Sequence, residues 1–97
     1  IDAEVVAPRT LVPLDKATIL GSVAKTGHVV VADETQRSCG VTAELAAMSA
    51  DEGFGSLKAP IKRVAIPDVP IPYHEAEEAY ITPSAAGIVA AVNQICR

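Results

Sequence analysis

Five side chains carry the chemistry this sequence could perform: His28, Asp33, Glu34, Cys39 and Cys96. A histidine titrates near neutral pH and can act as a general base. His28, however, follows Gly27 and opens the run Val29-Val30-Val31. Ligand sites in open α/β sheets gather at the carboxyl ends of strands, so His28 reads as a surface residue. Asp33-Glu34 leaves the same run at its carboxyl end, where a cation or a partner could be met. No further acidic spacing completes a metal loop, and the pair reads as a polar exit from a strand. Cys39, in Arg37-Ser38-Cys39-Gly40, precedes a helical stretch. A helix N-terminus can activate a thiol. No histidine adjoins Cys39 in sequence, and it reads as a packed, unreactive thiol. Cys96, near the end of an amphipathic helix, reads as a core or free surface thiol. Two cysteines are too few for a zinc site or a disulfide scaffold, which points to a reducing compartment.

The glycines do not form a phosphate cradle. No Gly-x-Gly-x-x-Gly follows a strand, and no Walker lysine or Ser-centred nucleophile elbow is present. Gly53-Phe54-Gly55 closes a helix, which is the wrong end for an anion. The expected catalytic, cofactor and metal residues are therefore none.

The elements that must position these residues alternate. Ala3-Glu4-Val5-Val6-Ala7 is β-prone and stops at Pro8. Arg9 to Leu14 is an extended connector. Asp15 is the expected N-cap of a helix over 16–26, with Gly27 as its C′ residue and Ile19, Leu20 and Val23 inward. Gly21 inside that helix marks either close packing or a weak point. His28 to Ala32 is a continuous β-branched strand, expected to be covered on both faces. A helix over 42–52 follows, with Phe54 and Leu57 tucked beneath it. Ile61 to Ala65 is a third strand. Ile66 to Tyr73 holds three of the seven prolines and can be neither helix nor central strand. Thr82-Pro83 starts a last helix through Ile88, Val89, Val92 and Ile95. The order β-α-β-α-β-loop-α implies a three-layer α/β/α fold with a mainly parallel sheet and right-handed crossovers.

Composition narrows the class. The 97 residues are 49% apolar, which allows one small aliphatic core. Twelve acids against eight bases give a net charge of −4, the wrong sign for a nucleic-acid binder. No apolar run approaches the ~20 residues of a membrane span. Three strands are thin for helices on both faces, and the chain starts at Ile1. The expectation is a single partial domain over 1–97 that lacks a leading β-α unit.

Four stretches, in order, carry a resemblance. They are RTLVPLD (9–15); VVVADE (29–34) with Arg37, Cys39-Gly40 and AELAA (43–47); DEGF (51–54) with Leu57 and APIKRV (59–64); and PDVPIPY (67–73). This set resembles the C-terminal domain of the β subunit of thiamine-diphosphate-dependent 2-oxo acid dehydrogenases, the E1 components of the pyruvate, branched-chain and acetoin complexes. It is also known as the transketolase C-terminal domain. The resemblance implies that the family's first strand and helix would precede Ile1. It implies a parent that binds thiamine diphosphate and magnesium elsewhere, decarboxylates a 2-oxo acid or cleaves acetoin, and passes the acyl group to lipoamide. The 97 residues alone are then expected to be inactive. Implied partners are the α subunit, a second β subunit and the binding domain of the dihydrolipoyl acyltransferase. The implied place is the bacterial cytoplasm or the mitochondrial matrix.

Interface candidates follow from that resemblance: Arg9 and Thr10 on the connector, Asp33 and Glu34, and Pro67, Asp68, Pro70, Pro72 and Tyr73 on the proline loop. A proline-rich loop is ordered beforehand and loses little entropy on docking. The acidic stretch Glu75, Glu77, Glu78 could meet a basic binding domain. The alternatives are the C-terminal domain of another thiamine enzyme, such as a transketolase, and a free-standing α/β binding module.

Overall fold

Asp15 begins the first regular element. In the computed structural model, its side chain accepts from the Thr18 amide at 3.3 Å and from the Thr18 hydroxyl at 2.7 Å. These bonds satisfy a free amide of the first turn. Helix α1 runs Lys16–Thr26 and ends at Gly27, which takes φ 74° and donates its amide to the Val23 carbonyl. A left-handed residue just past a helix favours glycine, and Gly27 has no room for a side chain beside Lys58 and the Ser56 carbonyl. The structure describes residues 3–9, 12, 14–70, 74 and 81–96.

Strand β1 (Val30–Gln36) follows, then helix α2 (Val41–Gly53), a single 3-10 turn (Phe54–Ser56), strand β2 (Lys62–Ile66) and helix α3 (Ala85–Ile95). β1 and β2 are parallel, with Val30 opposite Lys62, Val31 opposite Arg63 and Ala32 opposite Val64. An irregularity follows Ala32, and pairing resumes at Gln36 with Ile66. Val31 shares a cavity wall with Val23 of α1 and Leu45 of α2. Val30 and Ala32 share one with Ile88 and Val92 of α3. Side chains alternate across a strand, so α1 and α2 lie on one face of the sheet and α3 on the other. The three-layer α/β/α architecture with a parallel sheet is present.

Val23, Val31, Met48, Ile66, Ala91 and Ile95 form the buried core, with Thr42 and Ser49 as buried polar residues. Each helix contributes its inward face, and each strand contributes one residue. The core is aliphatic, as the shortage of aromatics requires.

Four local expectations are corrected. Ala3 to Ala7 is not a strand: among the described residues the sheet has two strands, and no ladder reaches residues 3–8. β propensity makes a strand only where a neighbour accepts the ladder. β1 starts at Val30 and reaches Gln36, so Asp33 and Glu34 lie inside the strand, because the ladder with β2 extends to Ile66. The Val run is fully covered on one face only, for Val31 is buried while Ala32 is exposed. Phe54 is not tucked beneath α2 but 75% exposed, since the 3-10 turn points it outward. In addition, α3 starts at Ala85, not at Thr82-Pro83. Ser84 is the cap, its Oγ accepting from the Gly87 amide at 3.1 Å.

Candidate functional site

The carboxyl ends of β1 and β2 emerge side by side, which is where an open parallel sheet offers its loops to ligands and partners. Two loops meet there, Arg37–Gly40 and Pro67–Pro70. Five hydrogen bonds fasten one to the other and to the strands. The Arg37 amide donates to the Ile66 carbonyl at 2.8 Å. The Ser38 amide donates to Asp68 Oδ1 at 3.0 Å, and the Ser38 hydroxyl to Asp68 Oδ2 at 2.5 Å. Gln36 Nε2 donates to the Val69 carbonyl at 3.0 Å. Arg63 Nη1, from β2, donates to the Arg37 carbonyl at 2.9 Å.

Each partner has a local cause. Pro67 fixes its own φ, and the Val69 amide turns back to the Pro67 carbonyl at 2.7 Å, which presents Asp68 toward β1. Cys39 takes φ 59°, an uncommon backbone for a non-glycine residue, and so turns the chain into α2. Gly40 follows with ordinary φ, but a Cβ there would overlap the Gln36 carbonyl. Bonds from the Ser38 hydroxyl and amide hold the Asp68 carboxyl below its usual value, and Arg37 and Arg63 add a smaller pull in the same direction. Asp68 is therefore an anion tied at both oxygens, on an exposed loop.

The sequence-derived candidates divide accordingly. Asp68 joins the β1–α2 turn, while Pro67 and Pro70 flank it, exposed. Asp33 lies half-buried in β1 on the same parity as Val31, and Glu34 is exposed on the opposite face. Arg9 is exposed on a bend. Thr10, Pro72 and Tyr73 lie outside the described residues, as do Glu75, Glu77 and Glu78. Sequence reasoning missed Gln36, Ser38 and Arg63, whose partners stand 26 to 33 positions away. Polarity was the signal they offered, and polarity alone does not name a distant partner.

A pairing of Cys39 with His28 is excluded by geometry. His28 precedes β1 and Cys39 follows it, and seven residues at ~3.3 Å each separate them by roughly 23 Å. His28 is half-buried, with Nδ1 3.1 Å from the Thr26 carbonyl. Among the described residues, no group of three or more His, Cys, Asp or Glu side chains could hold a metal ion. No described helix is long and apolar enough to cross a membrane. What the arrangement can do is present a stiff, ordered surface.

A family model described as the transketolase C-terminal domain matches residues 1–88. The chain is 44% identical over 94 residues to the acetoin:2,6-dichlorophenolindophenol oxidoreductase subunit beta of Cupriavidus necator, covering 97% of the chain and 28% of that protein. It is 44% identical over 81 residues to the pyruvate dehydrogenase E1 component subunit beta of Bacillus subtilis, covering 84% and 25%. It is also 44% identical over 95 residues to the 2-oxoisovalerate dehydrogenase subunit beta of Pseudomonas aeruginosa, covering 98% and 27%. The chain thus spans about a quarter of the length of these relatives.

Proposed function

We propose, for a chain that belongs to the transketolase C-terminal domain family, that it is the C-terminal assembly domain of an E1 β subunit. The parent is a thiamine-diphosphate-dependent 2-oxo acid or acetoin dehydrogenase. It decarboxylates a 2-oxo acid, or cleaves acetoin, and transfers the acyl group to lipoamide. Residues 1–97 form one partial domain of that subunit and are inactive alone. Thiamine diphosphate and magnesium belong to other parts of the parent. The partners are the α subunit, a second β subunit and the dihydrolipoyl acyltransferase.

One observation carries this reading. The exposed loop Pro67–Pro70 is locked to the β1–α2 turn through Ser38 and Asp68, as a docking surface requires if it is to lose little entropy on binding. The relatives support it, since all three are named as β subunits, of acetoin, pyruvate and 2-oxoisovalerate enzymes.

The test uses the full natural polypeptide co-expressed with its neighbouring α subunit. Co-purification is expected, with reduction of 2,6-dichlorophenolindophenol that depends on thiamine diphosphate and on pyruvate, a branched-chain 2-oxo acid or acetoin. Activity on sugar phosphates in place of these substrates would overturn the reading in favour of a transketolase. A chain that binds no α subunit and reduces no dye would overturn it in favour of a free-standing module.

A further inference from the structure

Among the described residues β2 pairs with β1 on one side only, and two grooves open beside its other edge. On the α2 face a groove of about 690 Å³ lies between Ala46, Ala47 and Ala50 of α2, Phe54, and Ile61 and Arg63. On the α3 face a groove of about 410 Å³ lies between Gly87, Ala90 and Gln94 of α3, residues 62–65 of β2 and Arg37. No residue of β1 lines either groove, so both lie outboard of β2 and flank its free edge. Alanine and glycine on the two helices leave room there on both faces of the sheet.

The register says which groups face outward. The Lys62 amide donates to the Val29 carbonyl at 3.2 Å, and the Ile66 carbonyl accepts from the Arg37 amide at 2.8 Å. In a parallel ladder alternate residues turn to the same neighbour. Lys62, Val64 and Ile66 therefore bond β1, and Arg63 and Ala65 turn their amides and carbonyls to the free edge, where among the described residues no strand meets them. Such a row is a template for one more extended chain. The charges along it have one sign. Lys62 and Arg63 stand at the amino end of the edge, and Arg37 stands at its carboxyl end beside Ile66. Lys62 shares its face with Val64, whose Cγ1 stands 3.9 Å from the Cβ position of Gly87 in α3; Arg63 takes the α2 face. Among the described residues the ion pairs are Lys16–Glu52 and Lys25–Glu4, which leaves all three cations without a carboxylate at salt-bridge distance. The nearby Asp68 is bound to Ser38 through both oxygens. Like charges on paired edges repel, so this edge disfavours a second copy of itself and attracts carboxylates.

We propose that the free edge of β2 is a docking site for an acidic, extended segment of a partner protein, which adds to the sheet as a further strand. Its backbone bonds the amides and carbonyls of Arg63 and Ala65. Small apolar side chains in its middle lie over Ala47 and Ala50 on one face and over Ala90 on the other. Its carboxylates meet Lys62 and Arg63 at one end and Arg37 at the other. Four steps of ~3.3 Å from Lys62 to Ile66 put those ends about 13 Å apart. In this mode the main-chain bonds supply affinity and the side chains select the partner. The inference rests on the edge and its charges, and stands or falls apart from the dehydrogenase reading.

Residue-resolved hydrogen exchange tests it, on the full natural polypeptide co-purified with its α subunit and titrated at low salt with the blocked peptide Glu-Glu-Val-Ala-Val-Glu-Glu. The Lys62 and Val64 amides, already bonded to β1, are the internal standards. At saturation the Arg63 and Ala65 amides are expected to exchange at least about tenfold more slowly, with Lys62 and Val64 unchanged. The same peptide with lysine in place of glutamate, or with alternate amides N-methylated, is expected to leave Arg63 and Ala65 as they were. Lys62→Glu reverses an exposed charge and is expected to weaken the acidic peptide at least about threefold, most at low salt. No slowing with the acidic peptide, or equal slowing with the lysine peptide, would overturn the proposal. Protection of Arg63 and Ala65 before any peptide is added would overturn it too, because the parent would then cover the edge itself.

Discussion

Two glycines of one helix are expected to answer the same substitution with opposite signs. Gly21 lies in the exposed middle of α1, and a Cβ there meets nothing within 4 Å. Gly21→Ala adds helix propensity at no steric cost, and should stabilise the domain by about 0.5–1 kcal/mol. Gly27 ends the same helix at φ 74°, where a Cβ would stand 2.9 Å from Lys58 Cγ and Cδ and from the Ser56 carbonyl oxygen. Lys58 is a flexible chain and can move. The Ser56 carbonyl is backbone, and Gly27 is bound to that segment, for its own carbonyl accepts from the Lys58 amide at 2.8 Å. The left-handed backbone costs an alanine roughly 1–2 kcal/mol, and displacing the segment adds about 1–3 kcal/mol. Gly27→Ala should therefore destabilise by about 2–5 kcal/mol. The assay is urea unfolding of the full natural chain, followed by hydrogen exchange of α1 and α2 amides so that the transition is assigned to this domain. The m-value should stay constant while the midpoint rises for Gly21→Ala and falls for Gly27→Ala. Loss of stability in Gly21→Ala would mean that α1 is covered at that face. A neutral Gly27→Ala would mean that the contact between the 3-10 turn and the end of α1 does not hold the fold.

The remaining predictions concern the core, the clasp and the outward turn. Ile66 is 4% exposed, so Ile66→Ala should cost about 2–5 kcal/mol in the same urea assay; a change under 1 kcal/mol would mean that the sheet does not pack on the helices as described. Phe54, at 75% exposure, should tolerate Phe54→Ala within about 0.5 kcal/mol, and a large loss in the α-subunit-free chain would place it in the core. Asp68 titrates below its usual 3.8 in the folded state. A lowered carboxyl contributes stability that is present above its unfolded value and is lost as pH falls through the folded one. Exchange of the Ser38 amide, corrected for intrinsic rate, should therefore rise below pH 3.8, and pH-independent protection across that range would sink the clasp. Asp68→Asn should weaken capture of the dihydrolipoyl acyltransferase or of the second β subunit while leaving the domain folded; unchanged capture of both would remove the loop from the docking surface.

Much of the framework was legible because its causes are local. Asp15, the 16–26 helix and Gly27 were read at their observed positions, since a cap, a period of 3.6 and a left-handed stop all act within one turn. The second helix and the second strand were displaced by a residue or so, as fraying ends allow. The last helix starts two residues later than Thr82-Pro83 suggests, because the Ser84 hydroxyl makes the capping bond to the Gly87 amide. The candidate docking loop was legible in Pro67, Asp68 and Pro70, whose stiffness is intrinsic. Its fastening was not, because Ser38 and Asp68 are thirty residues apart and meet only when two parallel strands lie in register.

The sequence by itself determined the helices, the caps of the first of them, the β-branched run, the stiff proline loop and the family to which these belong, all through interactions between near neighbours. Tertiary structure alone decided that residues 3–8 carry no ladder, that Asp33 and Glu34 stay within β1, that Gly21 faces open space and that Phe54 faces outward. The physical reason is common to all four. A strand exists only if another strand accepts its hydrogen bonds, and a side chain is buried only if another element covers it. Both depend on groups far along the chain, which no local pattern of residues can place.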